Sequence, residues 1–179
     1  MEYSINTTEL RNYIPKLLVG DRIYLSGIVY TARDAAHKKI MELVEDNMET
    51  PFEIKDAVIY YAGPTPTPSH LAIGSCGPTT SSRMDKYSPK LIDLGLCAMI
   101  GKGPRSNDVC DAIVRNKAIY LCAIGGAGAL ASKSIIKSEI IAFEELGCES
   151  VKRITIKDFP LIVAIDSNGG NLFAIGEKK

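Results

Sequence analysis

The chain has 179 residues and a mass of 19.4 kDa, which suits one domain of ordinary size and excludes two large ones. Hydrophobic residues make up 46% and charged residues 23%, enough apolar surface to offset the entropy of ordering, so global disorder is excluded. Lysine plus arginine equals aspartate plus glutamate at 21 each, which leaves no surplus positive charge for a phosphate backbone and argues against a nucleic-acid partner.

In chain order, Met1-Glu2-Tyr3-Ser4-Ile5-Asn6 carries neither the basic start nor the apolar run of a secretory signal. No apolar stretch approaches the roughly 20 residues that cross a bilayer, so a cytoplasmic protein without a membrane partner is expected. The polar first twenty residues predict a peripheral arm on a single domain spanning 1–179. Residues 22–30 (RIYLSGIVY) read as a strand and residues 35–44 as a helix, with Ile40, Leu43 and Val44 at helical spacing. A second strand is predicted over 57–62, after which Pro64, Pro66 and Pro68 enforce an extended loop. A short strand over 71–75, a helix over 84–94, a strand over 96–100 and a helix over 106–116 with Ser106 as N-cap follow. Strands over 118–124, 151–156, 161–165 and 171–175 complete the pattern, the last two flanking the turn Asp166-Ser167-Asn168-Gly169-Gly170. Strands alternating with helices and glycine turns define an α/β fold.

Three loops that follow strands are dense in groups that bind an oxyanion. In Thr31-Ala32-Arg33-Asp34-Ala35-Ala36-His37, a helix N-terminus offers free N–H groups and Arg33 a bidentate fork. The plainer reading of this loop has Asp34 capping the helix, Arg33 in a surface ion pair and His37 exposed. In the stretch from Gly74 to Asp85, Gly77 permits close approach, and four hydroxyls from Thr79 to Ser82 precede Arg83, more than helix capping needs. In Gly101-Lys102-Gly103, a lysine between glycines emerges from a strand, and the absence of Ser or Thr after Lys102 excludes a nucleotide-binding P-loop.

A rival signal is Gly126-Ala127-Gly128-Ala129-Leu130-Ala131, which fits G-x-G-x-x-A after a strand and would require residues 140–143 as a following parallel strand. The five cysteines, Cys76, Cys97, Cys110, Cys122 and Cys148, are odd in number and widely separated, which excludes a CxxC zinc or redox motif and disfavours a disulfide framework.

The stretches GIVYTARDAAHKK from Gly27, YYAGPTP from Tyr60, GPTTSSRMD from Gly77, GLCAMIGKG from Gly95, GGAGALA from Gly125 and DFPLIVAIDSNGGNLF from Asp158 together resemble the β subunit of two-subunit class I (iron-sulfur) fumarases and L-tartrate dehydratases, equivalent to the C-terminal domain of single-chain class I fumarases. The resemblance covers nearly the whole chain. It implies a swivelling β/β/α three-layer domain whose partner, a separate α subunit, holds a [4Fe-4S] cluster, with no metal bound by this chain. It also implies that Arg33, Thr79, Thr80, Arg83 and Lys102 bind a small dicarboxylate, fumarate or malate. Thr79 and His37 are the two candidates for proton transfer, Thr79 through an activating carboxylate of the α subunit and His37 through its near-neutral pKa. Tartrate as substrate, and a non-catalytic carboxylate-binding module, are the alternatives. A face that normally covers the α subunit would favour self-association of the isolated chain.

Overall fold

The computed structural model describes residues 1–66, 69, 72–123 and 128–174. Among them one seven-stranded sheet runs through β1 (Glu2–Asn6), β2 (Arg22–Thr31), β3 (Val58–Tyr60), β4 (Ala98–Gly101), β5 (Ile119–Ala123), β6 (Ile135–Ala142) and β7 (Val151–Ile165), in the order β1-β2-β3-β4-β5-β7-β6. Strands β1 to β5 are mutually parallel, whereas β7 runs antiparallel to β2, β5 and β6. Because β7 pairs with both β5 and β2, the path β2-β3-β4-β5-β7 returns to its start and the sheet curls into a closed ring.

Period-two alternation then sorts the side chains. On β3, Val58 and Tyr60 join one buried cluster, and Ile59 with the following Tyr61 joins the other. The first cluster fills the ring with Leu25, Ile100, Leu121, Phe159 and Val163. The second lies outside it, under α2 (Asp34–Glu45), α3 (Ser88–Asp93) and α4 (Asn107–Asn116), whose apolar stripes supply Ile40, Leu91 and Ile113.

The first twenty residues are no peripheral arm. β1 pairs with β2, and the short helix α1 (Leu10–Tyr13) and the 3₁₀ turn after it carry Leu10, Ile14 and Leu17 into the ring cluster with no exposure at all. Arg11 clamps this segment to the body, giving Nη2 to the Gly95 carbonyl at 2.6 Å and Nε to Asp56 at 2.7 Å.

Other expectations are also revised. The strands foreseen at 151–156 and 161–165 are one strand, β7, broken by a bulge opposite Ser26, where Asp158 takes φ +49. The bulge bends β7 so that its first half pairs with β6 and its second half with β5. The helix foreseen over 84–94 is a 3₁₀ turn (Ser81–Met84) followed by α3. Residues 72–75 form no strand, and Leu71 lies outside the described residues. Asn171 makes a lone bridge to Ile165, and Asp166 knots the turn between them by accepting the Asn168 and Gly170 N–H groups, each at 2.9 Å. Ser106 caps α4 as expected, accepting from Val109 N–H.

The dinucleotide reading fails on topology. Residues 124–127 lie outside the described residues, but the helix that follows, α5 (Gly128–Ser134), leads into β6, which is separated from β5 by the antiparallel β7 and so is not the adjacent parallel strand of a dinucleotide-binding βαβ unit.

Candidate functional site

Strands β2, β3 and β4 point the same way, so the segments that leave them emerge along one edge, the usual place for a ligand on a parallel sheet. All three loops rich in cations and hydroxyls meet there. The 77–85 loop wedges between the other two: Thr79 N–H donates to the Tyr61 carbonyl at 2.7 Å and Ser81 N–H to the Lys102 carbonyl at 3.0 Å, and Thr80 bridges Lys102. Ser81 is wholly buried, and its hydroxyl accepts from Lys102 N–H at 3.0 Å and from the Tyr120 hydroxyl at 2.9 Å. Gly101 is obligatory beneath it, since a Cβ there would stand 1.9 Å from Ser81 Oγ.

The first loop joins the second through Asp34. This residue is not the N-cap of α2; Arg33 occupies that position, and Asp34 in the first turn accepts from Arg83 Nε at 2.9 Å. A carboxylate at a helix N-terminus is favoured by the dipole, so Asp34 is well suited to hold a neighbouring guanidinium. Arg33 is mostly buried, whereas Thr80, Arg83 and Lys102 are exposed and Thr79 is half-buried. One face therefore presents two guanidinium groups, an ammonium and two threonines. A cavity of about 400 Å³ opens beside it, lined by Pro64, Thr65, Pro66, Gly147, Cys148 and Lys152. Another of about 430 Å³ lies between Arg11, Lys55 and Asp56, away from these loops.

His37 is neither exposed nor on this face. It is fully buried, with its ring edge-on to Tyr61 and stacked near Tyr87, and its Nδ1 donates to the Arg33 carbonyl at 2.8 Å. Burial drops its pKa to about 4, against the pull of that hydrogen bond, so the ring is neutral near pH 7. It anchors the residue that opens α2 and packs against the strand end that receives Thr79.

Sequence reasoning missed Arg105. Its side chain has no exposure; Nε donates to Asp85 at 2.6 Å and Nη2 to Ser88 Oγ at 2.7 Å, while the guanidinium lies over the rings of Tyr61 and Tyr120. Asp85 also accepts from Ser106 N–H at 2.6 Å. The pair bolts the 77–85 loop to the segment after Lys102. An arginine after a proline gives no sequence signal of this role.

The five cysteines do not gather as the ligands of an iron-sulfur cluster must, and burial of Cys76 and Cys97 pushes their thiols up to about 12 and about 11. Among the described residues no three His, Cys, Asp or Glu side chains group to hold a metal, and no helix is long and apolar enough to cross a membrane.

These features define an α/β domain that gathers cationic and hydroxyl side chains at the edge of a parallel run of strands. The chain belongs to the fumarase C-terminus family, whose pattern matches residues 1–176. It is 42% identical over 161 residues to the anaerobic class I fumarate hydratase of Escherichia coli strain K12, a match covering 87% of the chain and 29% of that protein. To fumarate hydratase 2 of Leishmania major it is 39% identical over 172 residues, 93% of the chain and 30% of that protein. The chain thus spans under a third of the length of these relatives. A relative of matching length is the putative L(+)-tartrate dehydratase subunit beta of Methanocaldococcus jannaschii, 38% identical over 186 positions that cover 100% of the chain and 94% of that protein.

Proposed function

We propose that the chain is the β subunit of a class I, iron-sulfur hydro-lyase that interconverts fumarate and malate in the cytoplasm, as one swivelling β/β/α domain spanning 1–179. The observation that carries this reading is the meeting of Arg33, Arg83 and Lys102 on one face, linked by Asp34 and by the Thr80–Lys102 bridge. Three cations suit a substrate of two negative charges. Arg33 and Arg83 clamp carboxylates, Thr79 and Thr80 donate hydrogen bonds, and Lys102 opposes the charge that builds on a carboxylate as the neighbouring C–H loses its proton. His37 serves by fixing Arg33. Thr79 contacts the substrate at the carbon that loses the proton, and its weakly basic hydroxyl requires a carboxylate from the α subunit to act. The [4Fe-4S] cluster belongs to that α subunit, a reading supported by the scatter of the cysteines in this chain.

The open face supports a partner as well. Arg83 and Lys102 stand in water, where a charged contact is worth little until a second surface excludes solvent. A tartrate dehydratase β subunit is the second reading, favoured by the relative whose whole length this chain matches.

The test is anaerobic co-expression with an α-type subunit, reconstitution with iron and sulfide, and measurement of fumarate absorbance after malate is added. Turnover is expected from the complex and not from the isolated chain. Arg83→Ala should lower kcat/KM about tenfold to a hundredfold, the worth of one charged hydrogen bond. Turnover of tartrate alone selects the second reading, and turnover of neither by a stable, cluster-loaded complex selects a carboxylate-binding module.

A further inference from the structure

Among the described residues, four buried side-chain atoms have no hydrogen-bond partner in the protein: Arg33 Nε, Asp34 Oδ2, His37 Nε2 and Glu149 Oε1. Three belong to the first oxyanion-binding loop and its helix. The fourth comes from 116 residues beyond Arg33, on a 3₁₀ segment (Glu144–Glu149) that no motif marks. Its arrival follows from register. Thr31 pairs with Lys152 across the antiparallel β2–β7 ladder, so the residues just past the end of β2 face those just before β7. Glu149 Oε1 lies 3.8 Å from Arg33 Nε, with side chains only 27% and 21% exposed.

The segment is built to stay there. Lys152 donates to Ser150 Oγ at 2.7 Å and approaches the carbonyls of Gly147, Cys148 and Ser150, on either side of Glu149. Lys39 of α2 bonds Glu145 and covers the Phe143 ring. Arg33 Nη1 also packs against Gly63, where a Cβ would stand 2.8 Å from it and 3.3 Å from the Cys148 carbonyl. The guanidinium thus lies in a slot, with Glu149 at its Nε edge. Arg83 shows the closed form of the same arrangement, its Nε given to Asp34 and its terminal nitrogens left over.

We propose that Glu149 is a positioning residue of the dicarboxylate site, holding Arg33 by its Nε so that the terminal nitrogens meet the substrate carboxylate. The pair is about 1 Å longer than a hydrogen bond, a gap that a small motion of either side chain closes and that bound substrate holds closed. This deepens the proposed function and rests on it for the identity of the ligand, though not for the pair itself.

Two measurements test it separately. In the ¹⁵N-labelled full chain, the Arg33 Nε–H signal, identified by its loss in Arg33→Lys, should be protected from exchange and shift on titration with malate. Glu149→Ala should speed its exchange at least tenfold, and Glu149→Gln, whose amide oxygen still accepts, should preserve most of the protection. In the reconstituted complex, Glu149→Ala should raise KM about tenfold with kcat within twofold, and should add nothing in an Arg33→Ala background while multiplying with Arg83→Ala. An unprotected Arg33 signal in the wild type, exchange unchanged in Glu149→Ala, or effects that multiply with Arg33→Ala would each overturn the proposal. A complex inactive on malate and tartrate overturns the proposed function instead, while the exchange measurement still decides the pair.

Discussion

Gly101→Ala is the smallest change that separates packing from chemistry at the site. The new methyl would sit 1.9 Å from Ser81 Oγ and 3.0 Å from a ring carbon of Tyr61, both on fully buried side chains. Tyr61 is fixed by its hydroxyl contact to Ser88, so Ser81 must yield, and its hydrogen bonds to Lys102 N–H and Tyr120 go with it. Overpacking costs about 1 to 3 kcal/mol and two neutral hydrogen bonds about 1 kcal/mol each, so a loss of about 3 to 5 kcal/mol is expected. For a chain of this size that lowers Tm by about 6 to 20 °C in a thermal melt. In the complex, displacement of Thr80 and Lys102 should raise KM about tenfold. Removing the obstructing side chain with Ser81→Gly should make the double variant less destabilised than the sum of the single changes. A Gly101→Ala protein with unaltered Tm and KM would refute the claim that the second and third loops are locked through Ser81.

Two further expectations concern the buried groups beneath the site. His37 has a folded-state pKa of about 4 against an ordinary 6.5, so below 6.5 the unfolded chain takes up a proton that the folded chain refuses. Stability is therefore complete above about pH 6.5 and falls as pH drops toward 4, by about 2 to 3 kcal/mol; urea unfolding should show this slope and His37→Phe should flatten it. Arg105→Met should cost about 3 kcal/mol by leaving Asp85 unpaired, and adding Asp85→Asn should recover part of that in the same urea assay.

The chemistry-bearing loops were legible because each follows a strand and concentrates arginine, lysine or hydroxyls at a turn, and parallel strands carry such turns to one edge. Burial of the N-terminal segment was not read from its polar average, yet Leu10, Ile14 and Leu17 stand at i, i+4 and i+7, the spacing of one helix face. Long-range register has no such signature. The bulge at Asp158 joins two apparent strands into one, and that strand sets Glu149 beside Arg33. Arg105 is equally silent, because a buried guanidinium is defined by the carboxylate and rings around it, and these come from three separate segments. His37 is silent for a related reason: nothing in its spacing shows that this turn of the helix lies under Tyr61 and Tyr87, which bury it.

On the proposed function, the charge pattern of this face suits it to both water and a dicarboxylate. Arg33 and Arg83 are each faced by a carboxylate at Nε, Glu149 and Asp34 respectively, while among the described residues Lys102 has no acidic partner. The five groups sum to one positive charge before a ligand arrives and to one negative charge with a dicarboxylate bound. An unpaired trio of cations would repel itself and hold its long side chains loosely, so that binding would have to order them. Arginines held by one edge keep their terminal nitrogens free and lose less freedom when a carboxylate docks. The remaining cost is hydration of the exposed Arg83 and Lys102, and only a second surface closing over this face removes it. On the proposed function, the chain therefore supplies a cationic wall steadied by Asp34 and Glu149, and closure by a partner would turn it from a weak surface into a strong site.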